Sequence, residues 1–332
     1  MRVTVIGAGV AGLCSAIELV ERGIEVDVVD RTTGPGPDSC SWRAGGMLAP
    51  WCEGENAEAE VVRGGQIALN WWPRHIAGVQ RNGTLVVAAP RDGGELDRFY
   101  RRTENRQWLD EPGVAALEPD LAGRFRKALY FPEEGHLDPR DALAQLRERL
   151  ASRGVTVRYG VDGASPRASE LTLDCRGLSA RDALLDLRGV RGEMLILRTH
   201  EISLARPVRF LHPRIPLYVV PRGDGLFMVG ATMIESADAG GASARSAIEL
   251  LSAAFALHPA FGEAEIVEIG AGVRPAFPDN LPRIEQRGAT TYLNGLYRHG
   301  FLLAPAYAAR AAEHIALLME DRHEADRQRR RA

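Results

Sequence analysis

Two strand patterns in this 332-residue sequence predict an α/β domain on a parallel sheet, together with a second domain of α+β type on a largely antiparallel sheet. Between residues 2 and 30 an apolar strand, a glycine-rich turn, a helix and a second strand follow in order, and a helix-then-strand pattern returns after residue 138. From Gly189 to Gly230, by contrast, strand-like runs succeed one another with no helical stretch between them. The length exceeds what one ordinary core accommodates and suits two domains.

The first unit carries the most chemistry. Residues 2–6 (RVTVI) are apolar and β-branched, as a buried strand requires. Gly7, Ala8, Gly9, Val10, Ala11 and Gly12 follow, and then a helix whose Leu13, Ala16, Ile17 and Val20 share one face and which Gly23 ends. Residues 24–29 form the next strand, with Asp30 at its end. Gly7 makes the tight turn, Gly9 lets a pyrophosphate approach the backbone, and Gly12 lets the helix pack closely on the sheet. The helix N-terminus offers free N–H groups and the positive end of its dipole. Asp30, eighteen residues past Gly12, is placed to accept from a ribose 2′-hydroxyl. Together these predict a Rossmann-like dinucleotide site. An acid at position 30 disfavours NADP, although Arg31 beside it weakens that point, and the unit does not by itself separate NAD from FAD.

Further along, residues 32–41 read as a Gly/Pro/Ser loop leading into Trp42-Arg43-Ala44-Gly45-Gly46-Met47, whose small residues allow another body to lie against the backbone. Residues 57–72 are expected helical, 84–88 a strand, 91–106 a charged helix with Leu96 and Phe99 inward, 110–117 a short helix and 129–131 a strand. Asp138-Pro139 opens a helix lined by Leu143, Leu146 and Leu150 and ended by Gly154, and strands follow at 155–159 and 171–175. The antiparallel runs are 190–198, 206–211, 217–221 and 226–230, with Gly223-Asp224-Gly225 as a turn. A helix is expected at 243–257 with Ile248, Leu251, Ala254 and Phe255 inward, then strands at 266–270 and 291–294. Gly295 to Gly300 forms a loop entering a helix from Phe301 to about Met319, and the charged tail 320–332 is expected to be disordered. The expected division is 1–50, 136–188 and 270–332 for the nucleotide domain, and 51–135 and 189–269 for the substrate domain.

Composition excludes several classes. Hydrophobic residues are 45% and charged residues 26%, as in an ordinary globular chain, and a net charge of −3 gives no electrostatic basis for binding nucleic acid. Cys14, Cys40, Cys52 and Cys175 lack CxxC or zinc-like spacing, so no metal site is expected and the thiols suit a reducing cytoplasm. A strand starting at residue 2 leaves no room for a signal peptide, and no apolar run is long enough to span a membrane.

Four stretches together resemble one family. They are VIGAGVAGLCSAIEL at 5–19, SWRAGGMLAP at 41–50, YVVPRGDGLFMVGATM at 218–233, and GVRPAFPDNLP with NGLYRHGFLLAP at 272–282 and 294–305. The sequence resembles the D-amino-acid oxidase superfamily of FAD enzymes and, within it, the glycine oxidases of thiamine biosynthesis. The resemblance implies an FAD-binding domain with a largely antiparallel-sheet substrate domain, non-covalent FAD, glycine or a similar small molecule as substrate, O2 reduced to H2O2, and a homo-oligomer. No cysteine follows Cys175, so the late-chain covalent flavin link of related sarcosine oxidases is not available.

Residue by residue, the resemblance makes Arg274 the guanidinium that clamps the substrate carboxylate, a task its planar fork suits. Tyr218 matches a tyrosine whose hydroxyl reaches the same carboxylate, and Arg298 an arginine near the cavity. Met47 and Met233 match apolar walls, and Gly300, Phe301 and Leu302 the backbone facing the flavin pyrimidine. His299 stands where many relatives have Asn, either to assist the flavin electrostatically or to pack. The implied reaction is hydride transfer from the substrate Cα to flavin N5 with no side-chain base, since none of the matched motifs supplies one. Sarcosine or D-amino-acid oxidation, quinone-linked dehydrogenation and a flavin-binding module without turnover are the alternatives.

Overall fold

Val3 and Val5 are fully buried, and their strand Arg2–Ile6 lies inside a six-stranded sheet. The computed structural model describes residues 2–162, 171–212 and 216–329. Strand order in this sheet is Arg283–Arg287, Thr290–Asn294, Leu171–Asp174, Arg2–Ile6, Glu25–Asp30, Val157–Tyr159. All neighbours are parallel except the first pair, which form a hairpin. Helix Val10–Glu21 buries Leu13, Ala16 and Ile17, and packs on the last helix, Gly300–Arg329, which buries Ala304, Ala308, Ala311 and Ala312. These elements belong to the first of two units, Met1–Trp42, Arg140–Arg188 and Arg274–Ala332.

The second unit, Arg43–Pro139 and Gly189–Val273, is built on a nine-stranded sheet. Its order runs Ile234–Glu235, Arg188–Arg198, Leu226–Gly230, Leu217–Gly223, Val208–Leu211, Thr84–Ala88, Lys127–Phe131, Gln107–Asp110, with Glu265–Ala276 also on Arg188–Arg198. Along that order of eight strands the pairs are antiparallel apart from Val208–Leu211 with Thr84–Ala88, which are parallel. Leu85, Leu195, Phe210, Val219 and Val229 meet Leu250, Ala254 and Phe261 in its core.

Several expectations are corrected. Helix Ala244–Leu257 buries Leu250, Ala253, Ala254 and Leu257, while Ile248 is 65% and Phe255 55% exposed; the buried stripe lies one residue round from the expected one. The charged helix is shorter, Gly93–Arg102, and is followed by an unexpected edge strand, Gln107–Asp110, whose exposed side chains give no alternation to read. The polar edge strand Arg283–Arg287 was hidden for the same reason. The strand expected at 266–270 runs Glu265–Ala276, which puts Arg274 on a strand. The final helix continues through Arg329 instead of stopping near Met319; the rest of the expected tail, 330–332, lies outside the described residues. Residues 43–50, 136–139 and 270–273 fall in the second unit, because Met47–Leu48 pairs with Gly135–His136 and Glu265–Ala276 pairs with Arg188–Arg198. Among the described residues no helix is long and apolar enough to cross a membrane.

Candidate cofactor and substrate sites

In the first unit the glycine turn leaves no space for side chains. Gly7 has φ +101°, and a Cβ there would lie 2.7 Å from the Cys175 carbonyl oxygen. A Cβ on Gly12 would lie 1.8 Å from the Gly7 carbonyl oxygen, so the helix sits as close to the strand end as glycine permits. Gly9, at the N-cap, has no side chain to cap the helix; Ser41 does so, its Oγ accepting from the Val10 N–H at 3.2 Å. Asp30 accepts from the Ala8 N–H at 2.6 Å and from the Thr32 N–H and Oγ1 at 2.8 and 2.7 Å. Those bonds hold the carboxylate at the strand end and tie it to the turn, while Arg31 projects to the surface.

The late-chain helix brings a second N-terminus to the same place. His299 caps it, its carbonyl accepting from the Leu303 N–H at 2.8 Å, and Gly300 abuts Val10: a Cβ at 300 would be 3.5 Å from Val10 Cγ1. Two positive dipole ends therefore adjoin. Phe301 and Leu302 are buried, as is His299, whose Nε2 faces Arg298 Nε at a long 3.5 Å and whose ring stands edge-on to Tyr297. Tyr297, at φ +51°, donates its N–H to the Pro275 carbonyl at 2.9 Å, which fastens the loop carrying Arg298 to the strand carrying Arg274. Arg274 also acts on Cys40: burial pushes that thiol up, and the guanidinium pulls it back down.

The turn, without Cβ atoms at Gly7, Gly9 and Gly12, the two helix ends and the carboxylate fit a dinucleotide's pyrophosphate and ribose. FAD satisfies that chemistry, with Gly7, Ala8, Gly9, Val10, Ala11, Gly12 and Asp30 as the residues that would hold it.

In the second unit, Met47 and Tyr218 pack on one small cluster with Met194, Val220 and Met228. Gly45 lies flat against the tyrosine: a Cβ there would be 2.8 Å from Tyr218 Cε2. Gly46 has φ +70°, and its carbonyl accepts from the Leu137 N–H at 2.9 Å. Met233 is 53% exposed and stands outside the Met47–Tyr218 cluster. The sequence reading passed over Arg222, whose buried guanidinium donates to the carbonyls of Leu137 at 2.6 Å, Ala44 at 3.1 Å and Gly45 at 2.9 Å. Its signal was present, an arginine between a strand-end proline and a glycine turn, but an arginine beside a turn reads as a surface charge. Two further buried groups carry strong shifts: burial pushes Glu134 up to about 7, and burial with the Arg222 charge brings His136 down to about 4.

Comparison with known proteins gives four findings. Residues 2–314 match the FAD dependent oxidoreductase (DAO) family. A Rhizobium etli protein bearing the name thiamine biosynthesis oxidoreductase ThiO is 57% identical, over 95% of this chain and 96% of its own length. The glycine oxidase of Geobacillus kaustophilus is 28% identical over 91% of this chain and 89% of its own. The crystal structure of glycine oxidase from Geobacillus kaustophilus superposes with a TM-score of 0.79 at 24% identity, covering 94% of this chain and 95% of that one.

Proposed function

We propose, from the premise that the chain belongs to the DAO family of FAD-dependent oxidoreductases, that it oxidises glycine to iminoacetate, reduces O2 to H2O2, and supplies the imine for the thiazole of thiamine. The observation that carries this reading is the 57% identity, over nearly the whole of both chains, with a relative named for thiamine biosynthesis. Bound FAD supplies the two-electron acceptor. The substrate loses a hydride from Cα and a proton from nitrogen, and its C–N bond becomes double.

The chain's own groups bind and orient. Arg274 offers the carboxylate two parallel N–H donors, and Tyr218 offers a hydroxyl, the roles the family resemblance gives them. Gly45, Met47 and Tyr218 supply a small, apolar surface that favours a small substrate. The positive charge of Arg274 and the two helix N-termini favours an anionic substrate and the charge that develops during its oxidation. No side chain is assigned as base, so the substrate amine binds neutral and its lone pair expels the hydride.

Peroxide release and substrate loss measured with glycine, sarcosine and D-alanine test the reading. Glycine giving the highest kcat/KM, with one peroxide per glycine consumed, is the expected result. Turnover of sarcosine or D-alanine in preference to glycine, or glycine oxidation that reduces a dye but yields no peroxide, sinks it.

A further inference from the structure

Helix Ala244–Leu257 is apolar on both sides. Its inner stripe, Leu250, Ala253, Ala254 and Leu257, packs on the core of the second unit. Its outer stripe, Ile248, Ser252, Phe255 and Ala256, is exposed. A helix that is apolar all round belongs in an interior, and for that reason its sequence places Ile248 and Phe255 inward.

The outer stripe continues onto the next strand. The Phe255 ring lies over Gly262, where a Cβ would meet it at 2.8 Å, and the chain runs from there into Glu265–Ala276, whose Ile266, Val267 and Ile269 are exposed. Among the described residues that strand pairs with Arg188–Arg198 alone, so its other edge has no neighbouring strand. Five of the ten exposed large apolar side chains among the described residues thus fall within residues 248–269, each 42–65% exposed. At on the order of 200 Å² for a large side chain, they leave about 500 Å² of apolar surface in water. The largest patch on a monomer is about 300–600 Å², and a stable dimer buries about 800 Å² per partner, roughly 60–65% of it apolar. The patch therefore supplies the apolar share of one dimer interface.

Charge selects the partner. From Ser246 to Ile269 the chain carries Glu249, Glu263, Glu265 and Glu268 and no lysine or arginine, so an anionic lipid surface is repelled. Arg245, which is exposed, stands at the opposite end of the stripe from the exposed Glu263 and Glu265. Turned about a two-fold axis, the stripe lays its cationic end on the acidic end of a second copy and its apolar middle on the same apolar middle.

We propose that the face formed by Ile248, Phe255, Ile266, Val267 and Ile269 is an isologous contact with a second copy of this chain, in which the two helices Ala244–Leu257 run antiparallel and Ile248 of one packs on Phe255 of the other. The proposal rests on neither the substrate nor the cofactor assignment.

Sedimentation equilibrium of the full-length, FAD-loaded protein tests it, with FAD content as the check of folding. Wild type is expected to form an assembly with an even number of copies. Ile248→Lys and Phe255→Lys, at positions exposed in the single chain, are expected to weaken assembly at least about 30-fold and to leave FAD content unchanged. Arg245→Glu and Glu263→Arg are each expected to weaken it about 5-fold, and the chain carrying both to recover, because the pairing returns with its signs exchanged. A wild-type chain that is monomeric at every concentration, or an assembly that Ile248→Lys and Phe255→Lys leave intact, overturns the proposal. A doubly exchanged chain no better than the single variants overturns the antiparallel arrangement. A monomer whose face instead takes up neutral lipid vesicles or a different protein has another occupant there, which also overturns it.

Discussion

Asp30 already accepts three hydrogen bonds from its own chain, from Ala8 and Thr32, before any ribose is considered. A carboxylate has about four lone-pair directions, so it retains capacity for a ribose hydroxyl. The residue thus acts twice, as an acceptor for cofactor and as the anchor that holds the second residue of the glycine turn. Asp30→Ala is expected to weaken FAD binding by about 1–3 kcal/mol, the loss of hydrogen bonds to a charged acceptor. Because the Ala8 N–H loses its acceptor too, the apoprotein should also melt earlier than wild type. Titration of apoprotein by FAD fluorescence, with melting followed in parallel, checks both effects. An apoprotein of unchanged stability would show that the bond to Ala8 carries nothing.

Helix Val10–Glu21 shows what a sequence states locally and what it leaves to tertiary structure. Its apolar face, its opening glycines and its position after a strand were legible in the sequence, because strand, turn and helix are contiguous and each glycine has a steric reason visible in spacing. Its cap was not legible, since the capping Ser41 stands 31 residues further on, in a loop whose path only the fold sets. Ser41→Ala is expected to destabilise the protein by about 1 kcal/mol and to lower FAD affinity, because a loosened N-terminus presents its N–H groups less uniformly. Denaturant unfolding of apoprotein and FAD titration read the two effects, and a variant equal to wild type in both would show that the helix does not need this cap. The same division explains the other differences. Exposed edge strands such as Gln107–Asp110 and Arg283–Arg287 have no buried face to imprint a period. The candidate site behaves alike: Gly45 and Gly46 draw notice by their own small size and Met47 by the family resemblance, while Arg222 is tied to carbonyls about 180 and 85 residues away along the chain.

At the scale of the whole molecule, stability against pH includes two buried groups, two residues apart in sequence, that oppose each other. Glu134 is fully buried and accepts from the Cys52 N–H at 2.7 Å; burial pushes its carboxyl from 4.5 up to about 7. Its contribution to stability is therefore fully present below 4.5 and is lost as pH rises through about 7. His136 is 4% exposed, and burial with the Arg222 charge lowers it from 6.5 to about 4. Its contribution is present above 6.5 and is lost as pH falls through about 4. Each shift corresponds to roughly 3 kcal/mol across its window. The windows overlap between 4.5 and 6.5, where one slope offsets the other, so these two groups together give a plateau there in the wild-type protein. Removing either exposes the other. Glu134→Gln is expected to lose stability steeply as pH falls from 6.5 toward 4, while His136→Gln is expected to gain stability as pH falls from 7 toward 4.5. Melting curves of wild type and both variants across this range decide the matter, because taking differences from wild type cancels the common background of surface carboxylates. Parallel profiles for all three proteins would mean that neither group keeps a shifted protonation state in the folded chain. Opposite slopes in the two variants would establish that the strand Gly135–His136, paired with Met47–Leu48, carries a neutral imidazole and is preceded by a carboxyl that titrates near neutrality.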